Sequence, residues 1–228
     1  MIDNAFRARL PRYAGPLLSL YARLSLTPDH VTILGFAVAL GASLAVAQGL
    51  FGVALVLWWV SRIADGTDGL YARRTGQTTR FGAYLDIVLD MAAYGAMVLG
   101  FAHAMPALGR EWAAMLFLYI LCITSALALG AQEADLPNRP RDDRGLRLGA
   151  GLAEGGETGI AYTVFLLFPD ELAWTTRLWI AVLALTIVLR TLLAARILRA
   201  GAASAPAEAS GLPSAPATRP EGARAPDL

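Results

Sequence analysis

Apolar residues in this chain fall into long blocks, separated by short stretches rich in polar residues, glycine or proline. Six blocks are legible: Val31 to Ala47, Leu50 to Tyr71, Phe81 to Met105, Trp112 to Ala131, Gly156 to Phe168, and Trp174 to Leu198. Most approach the ~20 residues that a helix needs to cross a hydrocarbon layer about 30 Å thick. The fifth is short, ends at Pro169-Asp170, and reaches spanning length only if it begins near Ala150. Thr27-Pro28-Asp29 gives a helix start ahead of the first block, and Pro106 closes the third. The pattern predicts an all-α, polytopic membrane protein with six transmembrane helices.

Before the first block the pattern changes. Ile2, Phe6, Leu10, Tyr13, Leu17, Leu20 and Leu24 recur every three or four residues among Asp3, Arg7, Arg9, Arg12 and Arg23. That spacing predicts an N-terminal amphipathic helix lying in the membrane interface over residues 1–24, broken near Pro11 and Gly15-Pro16. It lacks the uninterrupted apolar core of a cleavable signal. After Arg199 the chain turns to alanine, proline, serine and glycine, which cannot bury enough surface to fold. The expected organisation is an interfacial arm over 1–24, a six-helix membrane domain over 25–200, and a disordered tail over 201–228.

Composition agrees with the blocks. Of 228 residues, 56% are hydrophobic and 16% charged, against roughly 45–50% and about 25% in an average soluble domain. A net charge of +1 gives no electrostatic reason to expect a nucleic-acid partner. Every basic side chain is arginine, so lysine chemistry is excluded and arginine must meet any phosphate. The single cysteine, Cys122, rules out an intrachain disulfide and reads as a small buried hydrophobe. His30 and His103 are too far apart in sequence to suggest a zinc site.

Arginine placement also predicts orientation. With six spans and a cytoplasmic N-terminus, one side holds Arg7, Arg9, Arg12, Arg23, Arg73, Arg74, Arg80, Arg139, Arg141, Arg144, Arg147, Arg196 and Arg199. The other holds only Arg110 and Arg177. By the positive-inside rule both termini are expected in the cytoplasm, with the chain in the cell's inner or plasma membrane.

Acidic residues at membrane depth carry the chemistry. Asp65 and Asp68 lie in the second block, Asp86 and Asp90 in the third. An ionised group there costs several kcal/mol, so such residues face a cavity, pair with a partner or bind a ligand. On the second helix Asp65, Asp68, Gly69 and Ala72 share a face; on the third, Gly82, Asp86 and Asp90 do. The turn from Arg73 to Phe81 is short enough to make the two helices antiparallel neighbours near the cytoplasmic side. Ion pairs of Asp65 with Arg62 or Asp68 with Arg73 would account for one or two of these acids, but not for four aligned with glycines. Clustered carboxylates call for a divalent cation, and hard oxygen ligands suit Mg2+ or Mn2+.

The arrangement Asp65-x-x-Asp68-Gly69-x-x-Ala72-Arg73, followed by Gly82-x-x-x-Asp86-x-x-x-Asp90, resembles the motif of the CDP-alcohol phosphatidyltransferase family at every fixed position and spacing. The six-span layout over about residues 1–200 is similar to that of bacterial members. The resemblance implies two divalent metals, held mainly by Asp65, Asp68 and Asp86, that grip the diphosphate of a CDP-linked substrate. It implies Asp90 as the general base, with its carboxylate also near one metal. Arg73 would neutralise the diphosphate, and Gly69, Ala72 and Gly82 would leave room for cytidine and phosphates. The implied reaction moves a phosphatidyl group from CDP-diacylglycerol to a small polar alcohol and releases CMP, in an enzyme expected to be a homodimer.

Several further features are read beside the motif. Thr27-Pro28-Asp29-His30-Val31-Thr32 resembles the Thr-Pro-Asn-x-x-Thr start of the family's first span, with Asp29 read as the helix N-cap and His30 as interfacial. Arg139, Arg141 and Arg144, with Glu154 and Glu157, form a possible acceptor site. Gly151, Gly155 and Gly159 predict close helix packing, as do Ala37, Gly41 and Ala45. Trp58, Trp59, Trp112, Trp174 and Trp179 are expected as interfacial anchors. Other readings stand alongside: head-group transfer from a CDP-linked alcohol to diacylglycerol, an intramembrane prenyltransferase, and an ion or proton transporter using intramembrane acids.

Overall fold

The computed structural model describes residues 14–133 and 155–203. Among these residues the structure is helical, with seven α-helices. They are α1 (Gly15–Arg23), α2 (Pro28–Ala47), α3 (Phe51–Thr75), α4 (Arg80–Ala104), α5 (Gly109–Glu133), α6 (Gly155–Leu167) and α7 (Leu172–Ala203). The predicted apolar blocks correspond to α2 through α7. Four helical segments are long and apolar enough to cross a membrane: Pro28–Ala47, Arg80–Ala104, Pro106–Gln132 and Pro169–Arg199. The other two differ for physical reasons. Arg62, Asp65, Asp68, Arg73 and Arg74 make α3 too charged, and α6 has only 13 residues, a rise of about 20 Å.

Local chemistry sets the helix ends that frame the site. Thr27 caps α2: its hydroxyl accepts from the His30 amide at 3.2 Å, while His30 Nδ1 accepts from the Thr27 amide at 3.3 Å. The expected N-cap, Asp29, is instead inside the first turn, because Pro28 takes the first helical position. α3 ends on Gly76 at φ 68°, a left-handed conformation in which glycine pays no steric penalty. α4 begins at Thr79, whose hydroxyl accepts from the Gly82 amide at 2.9 Å.

Helix packing explains how a site can open between α3 and α4. α2 lies along both of them, whereas α3 and α4 hardly approach each other along their backbones. The two acidic faces meet through side chains, as the short turn leads one to expect, while α2 holds both helices. Small residues on α2 allow the close fit. A Cβ on Gly35 would come within 3.1 Å of Ala64 Cβ. On α4, a Cβ on Gly100 would come within 2.5 Å of the Ser43 carbonyl oxygen, and the Ser43 hydroxyl donates to the Ala96 carbonyl at 2.5 Å. The packed stripe is thus Gly35, Ala39, Ala42, Ser43 and Val46, with Ala45 beside it, while Ala37 is exposed. Gly41 meets Leu57 only at ordinary contact distance, 3.6 Å for an added Cβ.

The main core joins α2 through α7 around Trp58, Tyr94, Met97, Phe101, Trp112 and Tyr162. Three of the tryptophans expected as interfacial anchors, Trp58, Trp112 and Trp179, are buried here; Trp59 and Trp174 are more exposed. Each buried indole has an acceptor, respectively the Gly159 carbonyl at 3.3 Å, the Met105 carbonyl at 3.0 Å and the Tyr119 hydroxyl at 3.0 Å. Tyr162 donates to the Tyr94 carbonyl at 2.8 Å, and an added Cβ on Gly155 would be 3.3 Å from the Tyr94 hydroxyl. The expected close packing is met at Gly155 alone: an added Cβ on Gly159 would meet nothing within 4 Å, although the Gly159 carbonyl ties α6 to Trp58 of α3; Gly151 lies outside the described residues. Cys122 is buried, as expected.

α1 docks beside the acidic end of α3. Its buried face is Ala14, Leu18 and Tyr21, while Leu20 and Leu24 of the predicted apolar stripe are exposed. Tyr21 shares a 3.0 Å hydrogen bond with Thr67, next to Asp68, and packs edge-on against Tyr71. Tyr71 donates to the Leu26 carbonyl at 3.1 Å. Burial pushes the Tyr21 phenol above its ordinary range, so it remains a neutral hydrogen-bonding group. The interfacial arm before residue 14 and the predicted tail beyond residue 203 lie outside the described residues.

Candidate active site

Three acids meet between α3 and α4. Asp65, Asp68 and Asp86 each place a carboxylate oxygen so that the three atoms lie within 4.8 Å of one another. Helical spacing brings Asp65 and Asp68 to one face of α3, and Asp86 arrives from one turn inside α4. Asp68 is the most enclosed, 4% exposed. Its Oδ2 accepts from the Thr32 hydroxyl at 2.5 Å, and its Oδ1 accepts from the Gly69 amide at 2.5 Å. Two donors of fixed direction orient one ligand of the group before any ion arrives. Three hard oxygen donors carrying like charge suit a divalent cation of the magnesium or manganese kind, so this donor set fits such a metal.

Asp90, the fourth acid of the motif, is joined to Asp65 through a shared guanidinium. Its Oδ1 is bonded by the Arg62 guanidinium, and its Oδ2 accepts from the Tyr94 hydroxyl at 2.9 Å. Both carboxylate oxygens are therefore engaged by α3 and α4 side chains. The Arg62–Asp65 ion pair considered from sequence is longer, 3.7 Å, and secondary to Arg62–Asp90. Arg62 also donates to the Ser61 hydroxyl at 3.1 Å and lies 4.6 Å from the Trp58 ring centre and 5.2 Å from that of Tyr94.

The remaining motif positions surround the acids. An added Cβ on Gly69 would meet only Arg73 Nη1, at 3.5 Å, so the space beside Gly69 is bounded by the arginine that the motif supplies. Arg73 is solvent-exposed, and Ala72 is buried in the same turn. Gly82 is tighter: an added Cβ would lie 3.0 Å from Asp29 Oδ1 and 3.1 Å from Thr79 Oγ1. The room at Gly82 is thus partly filled by the chain's own polar groups. Glu157 lies in the first turn of α6. Arg139, Arg141, Arg144 and Glu154 of the possible acceptor site lie outside the described residues.

Sequence reading passed over four residues that matter to this geometry. Thr32 holds Asp68, although the only signal for it was its place in the Thr-Pro-x-x-x-Thr start of α2. Tyr94 lies one turn beyond Asp90 and follows the same four-residue rhythm as Asp86 and Asp90. Arg62 was weighed only as a partner for Asp65. Arg190 is 2% exposed within α7 and donates to the Cys122 carbonyl at 2.6 Å and to the Ser125 hydroxyl at 3.2 Å. An ionised residue inside an apolar run was the available signal for both arginines.

Apolar helices around a group of convergent carboxylates define a membrane protein with a site suited to a divalent metal. Residues 25–140 match the CDP-alcohol phosphatidyltransferase family. The chain belongs to that family and is a transferase of phospholipid biosynthesis. It is 33% identical to the inner membrane protein YnjF of Escherichia coli over 76% of this chain and 84% of that one. It is 29% identical to the phosphatidylinositol phosphate synthase of Mycobacteroides abscessus, over 78% and 80% of the two chains. The fold is similar to that of the phosphatidylinositol phosphate synthase of Mycobacterium tuberculosis. The crystal structure of that protein with CDP-DAG bound superposes with a TM-score of 0.59 at 24% identity, covering 80% of this chain and 94% of the other. Its complex with manganese and citrate gives 0.53 at 23% identity, covering 81% and 88%.

Proposed function

We propose that this chain transfers the phosphatidyl group of CDP-diacylglycerol to the hydroxyl of a small polar alcohol, releasing CMP. The observation that carries this reading is the group formed by Asp65, Asp68 and Asp86. Relatives named phosphatidylinositol phosphate synthase, and the CDP-DAG complex of one of them, support the donor. Asp65, Asp68 and Asp86 would hold Mg2+ or Mn2+, with two ions as the family resemblance implies. The manganese complex of the same solved relative supports that choice. Bound there, a divalent cation withdraws negative charge from the diphosphate and stabilises CMP as a leaving group.

The chain's own residues supply the rest. Arg73, exposed at the end of α3, would meet diphosphate oxygens with a permanent charge. Gly69 leaves space for the nucleotide beside it. Asp90 would take the proton from the acceptor hydroxyl as its oxygen forms a bond to the lipid-linked phosphorus and the bond to the CMP oxygen breaks. Because Arg62 and Tyr94 engage Asp90, its carboxylate is oriented before the acceptor arrives. No protein nucleophile is needed for a direct displacement of this kind.

The same reading carries the topology. α3 and α6 join the four strongly apolar helices to make six spans, since the charges of α3 belong to the site rather than to a lipid-facing surface. Arginine distribution then puts both termini and the acids on the cytoplasmic side of the inner or plasma membrane. The possible acceptor site is kept at Arg139, Arg141, Arg144, Glu154 and Glu157, and a homodimer is the expected assembly.

The test is a reconstitution assay with CDP-diacylglycerol, Mg2+ or Mn2+, and glycerol 3-phosphate, inositol 1-phosphate, inositol or serine in turn. CMP release matched by one new phospholipid is expected with a single acceptor, and chelation should stop it. Phospholipid and CMP formed only when a CDP-linked alcohol and diacylglycerol are supplied in their place would reverse the donor assignment.

A further inference from the structure

Arg62 bonds Asp90 directly, and the motif gives it no task of its own. It stands one turn before Asp65 on the face that α3 turns toward α4. Its side chain is 10% exposed, it bonds Asp90, and its Nη1 lies 3.7 Å from Asp65 Oδ2. The guanidinium touches both functions of the site, one member of the metal group and the intended base. It crosses the gap that α3 and α4 leave between their backbones. Trp58 on α3 and Tyr94 on α4 flank it, so its position is set by packing as well as by charge.

We propose that Arg62 is the resident counter-cation of this site: it fixes the Asp90 carboxylate and limits how tightly Asp65, Asp68 and Asp86 hold a divalent cation. The proposal rests on the reading of those three aspartates as metal ligands. Two consequences follow from elementary electrostatics. A permanent positive charge beside Asp65 repels an arriving cation, so neutralising it strengthens metal binding. The planar fork also bonds Asp90 while reaching Ser61, which the point charge of a lysine cannot reproduce. Arg62 is therefore a positioning residue, acting through Asp90 and through the field at Asp65. With the cation kept weakly held, the metal can respond to the diphosphate that arrives with the donor.

The experiment measures Mn2+ binding to purified full-length protein, without nucleotide or alcohol, from the paramagnetic resonance signal of free Mn2+. Arg62→Gln is expected to bind Mn2+ at least about fivefold more tightly than wild type. Arg62→Lys keeps the charge and is expected to stay within about twofold. In turnover, Arg62→Lys should lower kcat about tenfold with the acceptor KM nearly unchanged. Arg62→Gln binding Mn2+ no more tightly than wild type would overturn the proposal. Absence of Mn2+ binding to wild type would instead overturn the metal reading beneath it. Removing Arg62 leaves the half-buried Asp90 without its cation, so the same comparison is made in an Asp90→Asn background. There, tighter binding on adding Arg62→Gln supports the role and equal or weaker binding refutes it.

Discussion

Replacing Gly69 with alanine should separate stability from activity. Gly69 lies inside α3, where glycine costs roughly 0.8–1.0 kcal/mol relative to alanine. The added Cβ would meet only Arg73 Nη1, at 3.5 Å, an ordinary contact with the end of an exposed, flexible side chain. Nothing in the packing offsets the gain in helix propensity, so Gly69→Ala should be as stable as wild type or more stable by up to about 1 kcal/mol. Activity should move the other way. If the space beside Gly69 receives the nucleotide, a methyl group intrudes where substrate must approach the backbone. A loss of at least about tenfold in turnover is expected, which corresponds to about 1.4 kcal/mol of barrier. Thermal unfolding in detergent and CMP release, measured on the same preparation, read the two quantities. A variant with wild-type turnover would show that substrate does not use this space, and a variant with a lowered melting point would show that α3 is packed differently. Gly82→Ala is the contrasting case. Its Cβ would press on Asp29 Oδ1 at 3.0 Å and on the capping hydroxyl of Thr79 at 3.1 Å, so stability and activity should fall together.

Three other outcomes are expected. Thr32→Val removes the hydroxyl donor to buried Asp68 while keeping the side-chain shape; melting without metal should fall by the equivalent of about 1.5–3 kcal/mol, and added Mn2+ should narrow the gap. Gly100→Ala should destabilise the protein by about 1–3 kcal/mol because its Cβ would strike the Ser43 carbonyl at 2.5 Å. Gly95→Ala, whose nearest neighbour would be Leu116 at 4.0 Å, is the matched control and should not destabilise in the same thermal assay. Asp90→Asn should abolish CMP release while leaving binding of a cytidine diphosphate ligand within about threefold, since Asp65, Asp68 and Asp86 keep their meeting oxygens; wild-type-like turnover would remove the base assignment.

Local signals carried most of the helix boundaries. Thr27-Pro28 started α2 and Pro106 closed α4, because caps and breakers act through bonds only a few residues long, whereas α3 runs past the expected Tyr71 to the left-handed Gly76. The acid group was legible for a related reason: its two halves lie on adjacent helices joined by a short turn, so spacing alone brought them to one end of the bundle. Which face of an apolar helix packs inward was less accessible. α2 is apolar nearly all round, and its periodicity therefore does not separate the Ala37–Gly41–Ala45 stripe from the buried Gly35–Ala39–Ser43 side. For the same reason a tryptophan near a span end could be either core or interface, and Trp58, Trp112 and Trp179 are core. Contacts between helices were out of reach. Arg62 selects Asp90 over its own neighbour Asp65 because of the depth at which α3 and α4 face one another, and no local pattern encodes that register.

The account depends on acids from two helices converging on the same divalent metal site. Mn2+ affinity measured for Asp68→Asn, altered on α3, and for Asp86→Asn, altered on α4, tests this most directly. Each substitution should weaken binding at least about tenfold relative to wild type, since each removes a charged ligand from that site. If either variant bound Mn2+ as wild type does, the two helices would not share the site, and the proposed chemistry would lose its foundation.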